Sequence, residues 1–218
     1  MSRRSSIHTA PRTLLGAVGL LGLLAAAPSS TGATAPLTFG SARITLAGTS
    51  NIHAYTASTS TVRVTRVELA PDAAGPGLWD ALIEPGTLRA FEFAIPAASL
   101  ASEKDGLNKN MYKALKVKEH PEITYRLTRL DAREGAAAFS PSSRALRAIG
   151  VLSVAGVEKE IAIDLTTEKK DAALAVRGEV SLLMTDFGIA PPKALMGMLK
   201  TDPKVTVSFQ TVLAVPLT

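Results

Sequence analysis

Apolar and polar residues alternate along most of the chain beyond its N-terminal region. The segment LRAFEFAIP places Phe91, Phe93 and Ile95 on one face. The same pattern appears in EITYRLTRL, EIAIDL, ALAVRGEVSLL and VTVSFQTVLAV, and strand-like composition continues in LTFGSARITLAG, HAYTASTSTVRVTRVEL and SRALRAIGVLSVAG. A period of two with one polar face is typical of antiparallel strands that bury one side. We therefore predict about eight strands.

The apolar faces of these strands identify the side chains that we expect to be buried. They are Phe91, Phe93, Ile123, Tyr125, Ile163, Val180, Val207 and Phe209. The strands are joined by short turns such as AGVEK and EKKD. Many short strands at this spacing are typical of an up-and-down barrel or a sandwich, so the predicted fold class is all-β.

Two segments are predicted to be helical. In SEKDGLNKNMYKALKVKEHPE, Asn108 is a candidate N-cap, and Met111 and Leu115 form an apolar stripe with Tyr112 beside it. A shorter helix is expected within Pro191–Lys200, because proline is favoured in the first turn of a helix.

An apolar detour, SLLMTDFGIAPPKALMGMLKTD, separates the last two predicted strands. A loop that faces only water has no need of Phe187, Ile189, Leu195, Met196 and Leu199. Methionine is a flexible filler of irregular apolar space. The detour is therefore expected to pack against apolar residues and not to face water alone.

The N-terminal region has the layout of a secretory signal peptide. Arg3, Arg4 and Arg12 precede the apolar run LLGAVGLLGLLAAA, and small residues follow it in PSSTGATA. The run is shorter than the ~20 apolar residues that a membrane-spanning helix needs. We predict a signal peptide over residues 1–35 and a single domain over residues 36–218, in a protein located in the periplasm or secreted.

Composition narrows the classes of partner and chemistry. Residues 1–35 hold three arginines and no acidic residue, so the remaining chain has 21 Lys and Arg against 19 Asp and Glu. That near balance, with no basic stripe, argues against a nucleic-acid partner. The chain has no cysteine, which excludes disulfides and thiolate chemistry.

The sequence offers little support for catalysis or metal binding. His53, His120 and Glu119 are the best candidate metal ligands, but their spacing matches no metal motif. Ser153 in GVLSVAG is not the nucleophile of a G-x-S-x-G elbow. We predict no enzyme activity, no metal and no cofactor.

Four blocks in order resemble the YceI-like family of lipocalin-like proteins, often called polyisoprenoid-binding. They are GTSNIHAY, the long block FEFAIPAASLASEKDGLNKNMYKALKVKEHPEITYRLT, the strand pair GVLSVAGVEKEIAIDL, and MTDFGIAPPKALMGMLKTDPKVTVSF. Each block is weak alone, but together they cover roughly residues 40–210. The resemblance implies an eight-stranded antiparallel barrel with a long apolar interior. The detour would then fold over one end of the barrel, where Phe187, Ile189, Met196 and Met198 would cap the interior. It would act either as a plug of a filled barrel or as a lid that contacts a ligand.

The resemblance also implies a function. We expect the barrel to hold an isoprenoid-type chain, such as a quinone or a polyprenyl lipid. The residues expected to contact it are His53, Phe91, Phe93, Tyr125, Phe187, Ile189, Leu195, Met196, Leu199 and Phe209. The alternative is a periplasmic interaction or stress-related protein with a filled barrel and no lipid. Transient contact with a membrane and formation of a homodimer are left open.

Overall fold

A computed structural model describes residues 37–70, 77–84, 86–133, 142–194 and 199–215. The strands are β1 (Thr38–Ser50), β2 (Ala54–Thr59), β3 (Arg63–Leu69), β4 (Leu88–Pro96), β5 (Glu122–Ala132), β6 (Ser143–Val154), β7 (Val157–Lys170), β8 (Ala173–Leu183), β9 (Lys193–Ala194) and β10 (Leu199–Ala214). The α-helices are α1 (Leu78–Leu82) and α2 (Asp105–Ala114), and two short 3₁₀ helices span Ala97–Ser99 and Met184–Phe187.

Nine strands form one curled antiparallel sheet in the order β2-β1-β10-β8-β7-β6-β5-β4-β3. From β3 to β8 each strand pairs with the next in sequence, as in an up-and-down barrel. The short β9 lies off this path and pairs with β10. The sheet ends at β2 and β3, which form no ladder with each other. The predicted all-β, lipocalin-like fold is confirmed.

The number of strands differs from the predicted eight because one predicted strand is two. The pattern of HAYTASTSTVRVTRVEL predicts a single strand, but the segment contains both β2 and β3. The chain turns between them, where the backbone N–H of Thr61 donates to Oγ1 of Thr59 at 3.0 Å. Apolar and polar residues keep alternating through this Thr- and Ser-rich turn. The pattern therefore does not show that the chain stops pairing with β1 here and goes on to pair with β4.

The predicted long helix is present as α2, but its start was predicted wrongly. The helix begins at Asp105, so Asn108 lies inside its first turn. The Asn108 side chain instead accepts from the backbone N–H of Ser102 at 2.8 Å, which ties the helix to the preceding loop. The helix predicted within Pro191–Lys200 falls partly outside the described residues, and residues 193–194 and 199–200 are strand.

Helix α1 was not predicted at all. Its five residues, LWDAL, lie between glycine- and proline-rich stretches, and they are too few to show helical periodicity. Among the described residues, no helix is long and apolar enough to span a membrane.

Two apolar clusters lie at opposite ends of the barrel. The floor cluster packs α1 against the strands, and its buried members are Leu37, Leu78, Trp79, Leu82, Ile83, Leu146, Leu174 and Leu213. The upper cluster joins the β4–β5 and β8–β10 connections, and its buried members are Ala97, Leu100, Leu115, Val154, Ala155, Phe187 and Ile189. Each end of the barrel thus carries an apolar cluster, and the sheet bounds the space between the two clusters.

The inward-facing strand residues are less buried than their pattern predicts. Tyr125 is buried, with 4% of its surface exposed. The other seven, from Phe91 to Phe209, are half-buried. The prediction failed because it assumed a filled core, whereas these side chains border an open interior.

Candidate ligand-binding cavity

A cavity of about 1000 Å³ occupies the interior of the barrel between the two clusters. Its walls are inward-facing residues of the strands, and most of them are apolar. They include Ile44 and Leu46 of β1, Ile163 of β7, Val180 of β8 and Val207 of β10. Alternation places these side chains on one face of each strand, so the same pattern that forms the sheet also makes its concave surface apolar.

An aromatic group forms part of the wall. The rings of Phe93 and Tyr125, which are paired across β4 and β5, stack with centroids 5.3 Å apart. Phe39 of β1 meets Phe91 and Phe93 edge to face, at 6.2 and 6.1 Å. Such contacts stabilise by ~0.5–1.5 kcal/mol beyond the area they bury. They fix a rigid apolar surface beside the open space.

The Tyr125 hydroxyl is buried without a hydrogen-bond partner among the described residues. It lies against Gly150 of β6, where a Cβ atom would come within 2.5 Å of the hydroxyl oxygen. Burial raises the pKa of Tyr125 above its usual value, because the phenolate would be poorly solvated. The phenol therefore stays neutral and contributes an apolar ring to the wall.

The end of the cavity beside the floor cluster is mainly apolar, and the buried hydroxyls of Thr167 and Thr211 near it donate to backbone carbonyls. Leu37, Leu82 and Ile83 line it, and each is less than a tenth exposed. Helix α1 supplies Leu82, and Ile83 follows at its C-terminus. This end offers no hydrogen-bonding side chain from α1 to a ligand.

The opposite end of the cavity has polar groups and is formed by the β1–β2 turn and α2. Ser50 Oγ lies 3.2 Å from Nδ1 of His53, and it also accepts the backbone N–H of His53 at 3.1 Å. Glu103 and Lys104 line the cavity from the start of α2, together with Asn110. The cavity therefore has an apolar floor and a polar mouth.

Seven of the ten side chains predicted to contact a ligand line this cavity. They are His53, Phe91, Phe93, Tyr125, Phe187, Ile189 and Phe209. Leu195 and Met196 lie outside the described residues, and only the backbone of Leu199 is described. Contact of any of them with a ligand stays a prediction. Phe187 and Ile189 belong to the upper cluster, so this part of the detour both packs and faces the cavity.

Several lining residues were missed by sequence reasoning. Ile44 and Leu46 of β1 alternate with polar residues, and that signal was available in SARITLAG. Leu82 and Ile83 were missed because α1 was not recognised. Leu107 of α2 faces the cavity from the side of the helix that carries Met111.

The described residues contain no cluster of His, Asp or Glu that could hold a metal ion. The ring of His120 lies against Gly156 in the β6–β7 turn, where a Cβ atom would come within 2.5 Å of it. His53 pairs with Ser50 within its own turn. The two histidines thus have separate local environments.

Comparison with known proteins gives a family and a fold. The YceI-like domain family matches residues 34–213. No curated protein matches the sequence. A polyisoprenoid-binding domain from Saccharophagus degradans is similar in structure, with a TM-score of 0.60 at 12% identity over 84% of this chain and 100% of that one.

Two further solved structures are similar. BcnA of Burkholderia cenocepacia has a TM-score of 0.59 at 12% identity, over 80% of this chain and 96% of its own. The YceI protein of Campylobacter jejuni has a TM-score of 0.51 at 13% identity, over 78% and 85%. At such identities the likeness establishes the shared fold.

Proposed function

The chain belongs to the YceI-like domain family, and on that premise we propose that its barrel binds one elongated apolar molecule of isoprenoid type. The observation that carries the proposal is the cavity of about 1000 Å³ with its apolar walls. The similar domain from Saccharophagus degradans is described as polyisoprenoid-binding, which supports the same class of ligand here.

The size of the cavity bounds the ligand. A water molecule occupies about 30 Å³ of the liquid, and a carbon atom with its hydrogens is of similar size, so the cavity holds on the order of 30 carbon atoms. That is about six five-carbon units if the space is filled completely. Each buried methylene contributes ~0.8 kcal/mol, so the chain supplies ample driving force even after the cost of ordering it.

The polarity of the two ends sets the orientation of the ligand. The apolar tail enters first and meets Leu82 and Ile83 at the floor. A polar head, such as a quinone ring, a hydroxyl or a phosphate, stays at the mouth beside His53 and Lys104. Binding therefore depends mainly on the tail, and the mouth accepts several kinds of head.

The open interior favours this function over the alternative of a filled barrel that presents loops to a partner. The Ser50 hydroxyl lies beside the His53 ring, but it also bonds the backbone carbonyl and N–H of His53, which makes it a contact of the turn. The described residues contain no cluster that could hold a metal ion, so no observation favours an enzyme. The basic and apolar N-terminal segment supports export, and we propose a carrier or buffer of an apolar lipid in the periplasm or outside the cell.

Organic extraction of the purified protein followed by mass spectrometry tests the proposal directly. Protein from the native host should yield a prenyl lipid in near-stoichiometric amount. Extracts without such a lipid, together with no binding of a fluorescent prenyl analogue to the emptied protein, would contradict the lipid-binding function.

A matched pair of variants tests the site. Ala148 of β6 lines the cavity, whereas Ala162 of the neighbouring strand β7 is exposed on the outer face. Ala148→Phe should weaken binding of the analogue tenfold or more, which corresponds to ~1.4 kcal/mol. Ala162→Phe should leave binding unchanged. Binding that is unchanged in both variants would place the ligand outside the barrel.

A further inference from the structure

We propose that α1 is a length gauge, which closes one end of the cavity and limits how long a ligand tail can be. This inference rests on the proposed function. It concerns residues 77–84, which lie between β3 and β4 in the chain and belong to no strand. The functional candidates found in the sequence all lie elsewhere.

The position of α1 shows that it lies across the end of the barrel. The helix follows β3 and precedes β4, and the backbone N–H of Ala70 donates to the carbonyl of Thr87 at 2.8 Å, which closes the base of this excursion. Its side chains pack with residues of distant strands. Leu146 belongs to β6, Leu174 to β8 and Leu213 to β10.

An ion pair ties the helix to the far side of the sheet. Asp80 of α1 accepts from Nζ of Lys169 on β7 at 2.6 Å. In the sheet, β7 is separated from β4 by β5 and β6. The helix thus begins from one part of the wall and is held at another, so it bridges the end of the barrel.

The residues of α1 divide into those that meet the cavity and those that support them. Leu82 and the following Ile83 line the cavity. Trp79 does not line it but is 6% exposed and packs in the same cluster, so it forms a second layer behind the floor. A tail that reaches Leu82 therefore meets a packed apolar layer without a path beyond it.

This geometry implies a sharp upper limit on tail length. Close-packed interiors resist insertion of extra methylenes, because the insertion forces side chains and backbone to shift. A tail that is one unit too long must leave that unit at the mouth, in contact with water and with His53 and Lys104. The double substitution Leu82→Ala/Ile83→Ala removes about six carbons from the floor. The space that they leave is close to that of one five-carbon unit, because each buried carbon counts for a similar area.

The test is a competition of all-trans prenols that differ by one five-carbon unit against a fluorescent prenyl analogue. The wild type should bind more tightly with each added unit up to a limit and then lose affinity. The double variant Leu82→Ala/Ile83→Ala should move that limit up by one unit, with an affinity gain of tenfold or more for the first prenol that the wild type rejects. Ile83→Phe should move the limit down.

The matched control removes the same number of carbons from the side wall. Leu46 of β1 and Ile163 of β7 line the cavity and belong to neither end cluster, so Leu46→Ala/Ile163→Ala enlarges it without lengthening it. An unchanged limit in this control supports the gauge. A limit that moves equally in both double variants, or in neither, would overturn it, because total volume or the mouth would then set the length. Failure of the wild type to bind any prenol would instead contradict the proposed function. Melting curves establish that each variant is folded.

Discussion

The ring of Phe209 on β10 occupies the place where a side chain on Gly178 of β8 would lie. The two residues are direct partners across the strands, and a Cβ atom at position 178 would come within 2.5 Å of the ring and 3.0 Å of the carbonyl oxygen of Asp164. A glycine inside a strand often marks such a close approach. Here it lets an aromatic side chain lie close to the sheet and leaves the centre of the cavity open.

Gly178→Ala should therefore push the Phe209 ring into the cavity. We expect a loss of ~1–3 kcal/mol in the free energy of unfolding, as for other overpacked sites, and weaker binding of a fluorescent prenyl analogue. Gly106→Ala is the control, because nothing lies within 4 Å of the added carbon, and the residue is in α2. That variant should gain ~0.5–1 kcal/mol and bind normally. Tight binding by Gly178→Ala would show that the ring has space elsewhere.

Truncation of Phe209 should be tolerated better than truncation of a packed aromatic residue. Phe209 borders the cavity, so part of its ring already has no packing partner, and Phe209→Ala should destabilise by less than the ~3–5 kcal/mol typical of a packed aromatic residue. Trp79 is 6% exposed within the floor cluster, and Trp79→Ala should destabilise by ~3–5 kcal/mol. Chemical denaturation measures both values, and a reversed order would mean that the interior is filled around Phe209.

The orphan hydroxyl of Tyr125 gives a prediction at neutral pH. Tyr125→Phe removes a buried polar atom that has no partner in the described structure, so stability should stay equal or rise by up to ~1 kcal/mol. Tyr112 provides the contrast, because its hydroxyl donates to the carbonyl of Leu100 at 2.7 Å. Tyr112→Phe should lose ~0.5–1.5 kcal/mol. A clear loss in Tyr125→Phe would reveal a partner for its hydroxyl.

The same tyrosine gives a prediction at alkaline pH. Burial raises the pKa of Tyr125 in the folded state, whereas the unfolded side chain loses its proton near the usual pKa of 10.0. The contribution of Tyr125 to the free energy of unfolding is therefore complete below about pH 10, and it falls as pH rises above that value. In Tyr125→Phe this part of the fall should be absent. Melting temperatures of both proteins from neutral to strongly alkaline pH measure the difference, and parallel curves would contradict the assignment.

The proposed export gives a prediction about the mature N-terminus. The arginines of the first residues and the apolar run after them should be removed, so protein taken from the cell envelope should begin between Pro28 and Leu37. N-terminal sequencing measures this start. Soluble protein that retains Met1 or Ser2 would contradict a periplasmic or secreted location.

The sequence predicted the strands well because one property, a period of two, marks both strand and inward face. Phe93 and Tyr125 were placed on the correct face, and both line the cavity. Burial was overestimated because alternation identifies which way a side chain points and not whether anything fills the space it faces. Val180, for example, has the pattern of a core residue and is half-buried.

Helix α1 shows why the floor of the cavity was not predictable. Its five residues are held by contacts with Leu146, Leu174 and Leu213, which are far away in sequence. Local pattern carries no trace of those contacts, and the flanking Gly and Pro residues indicate a loop. The prediction that Asn108 caps the helix was wrong for a related reason. Asparagine favours helix caps, but the partner of this side chain is the backbone of Ser102.

The two edge strands of the sheet, β2 and β3, form no ladder with each other, so the circumference of the barrel can change. Contacts between side chains, such as those of Phe39 with Phe91 and Phe93, bring the two sides together. One pair of backbone hydrogen bonds, between Ser58 of β2 and Ala101 of the β4–β5 connection, joins the two sides at 2.8 and 3.0 Å. Rings can slide past each other at a cost of ~0.5–1.5 kcal/mol per contact, whereas widening a fully closed barrel requires breaking a row of backbone hydrogen bonds. We therefore expect the proposed binding site to admit molecules of different thickness.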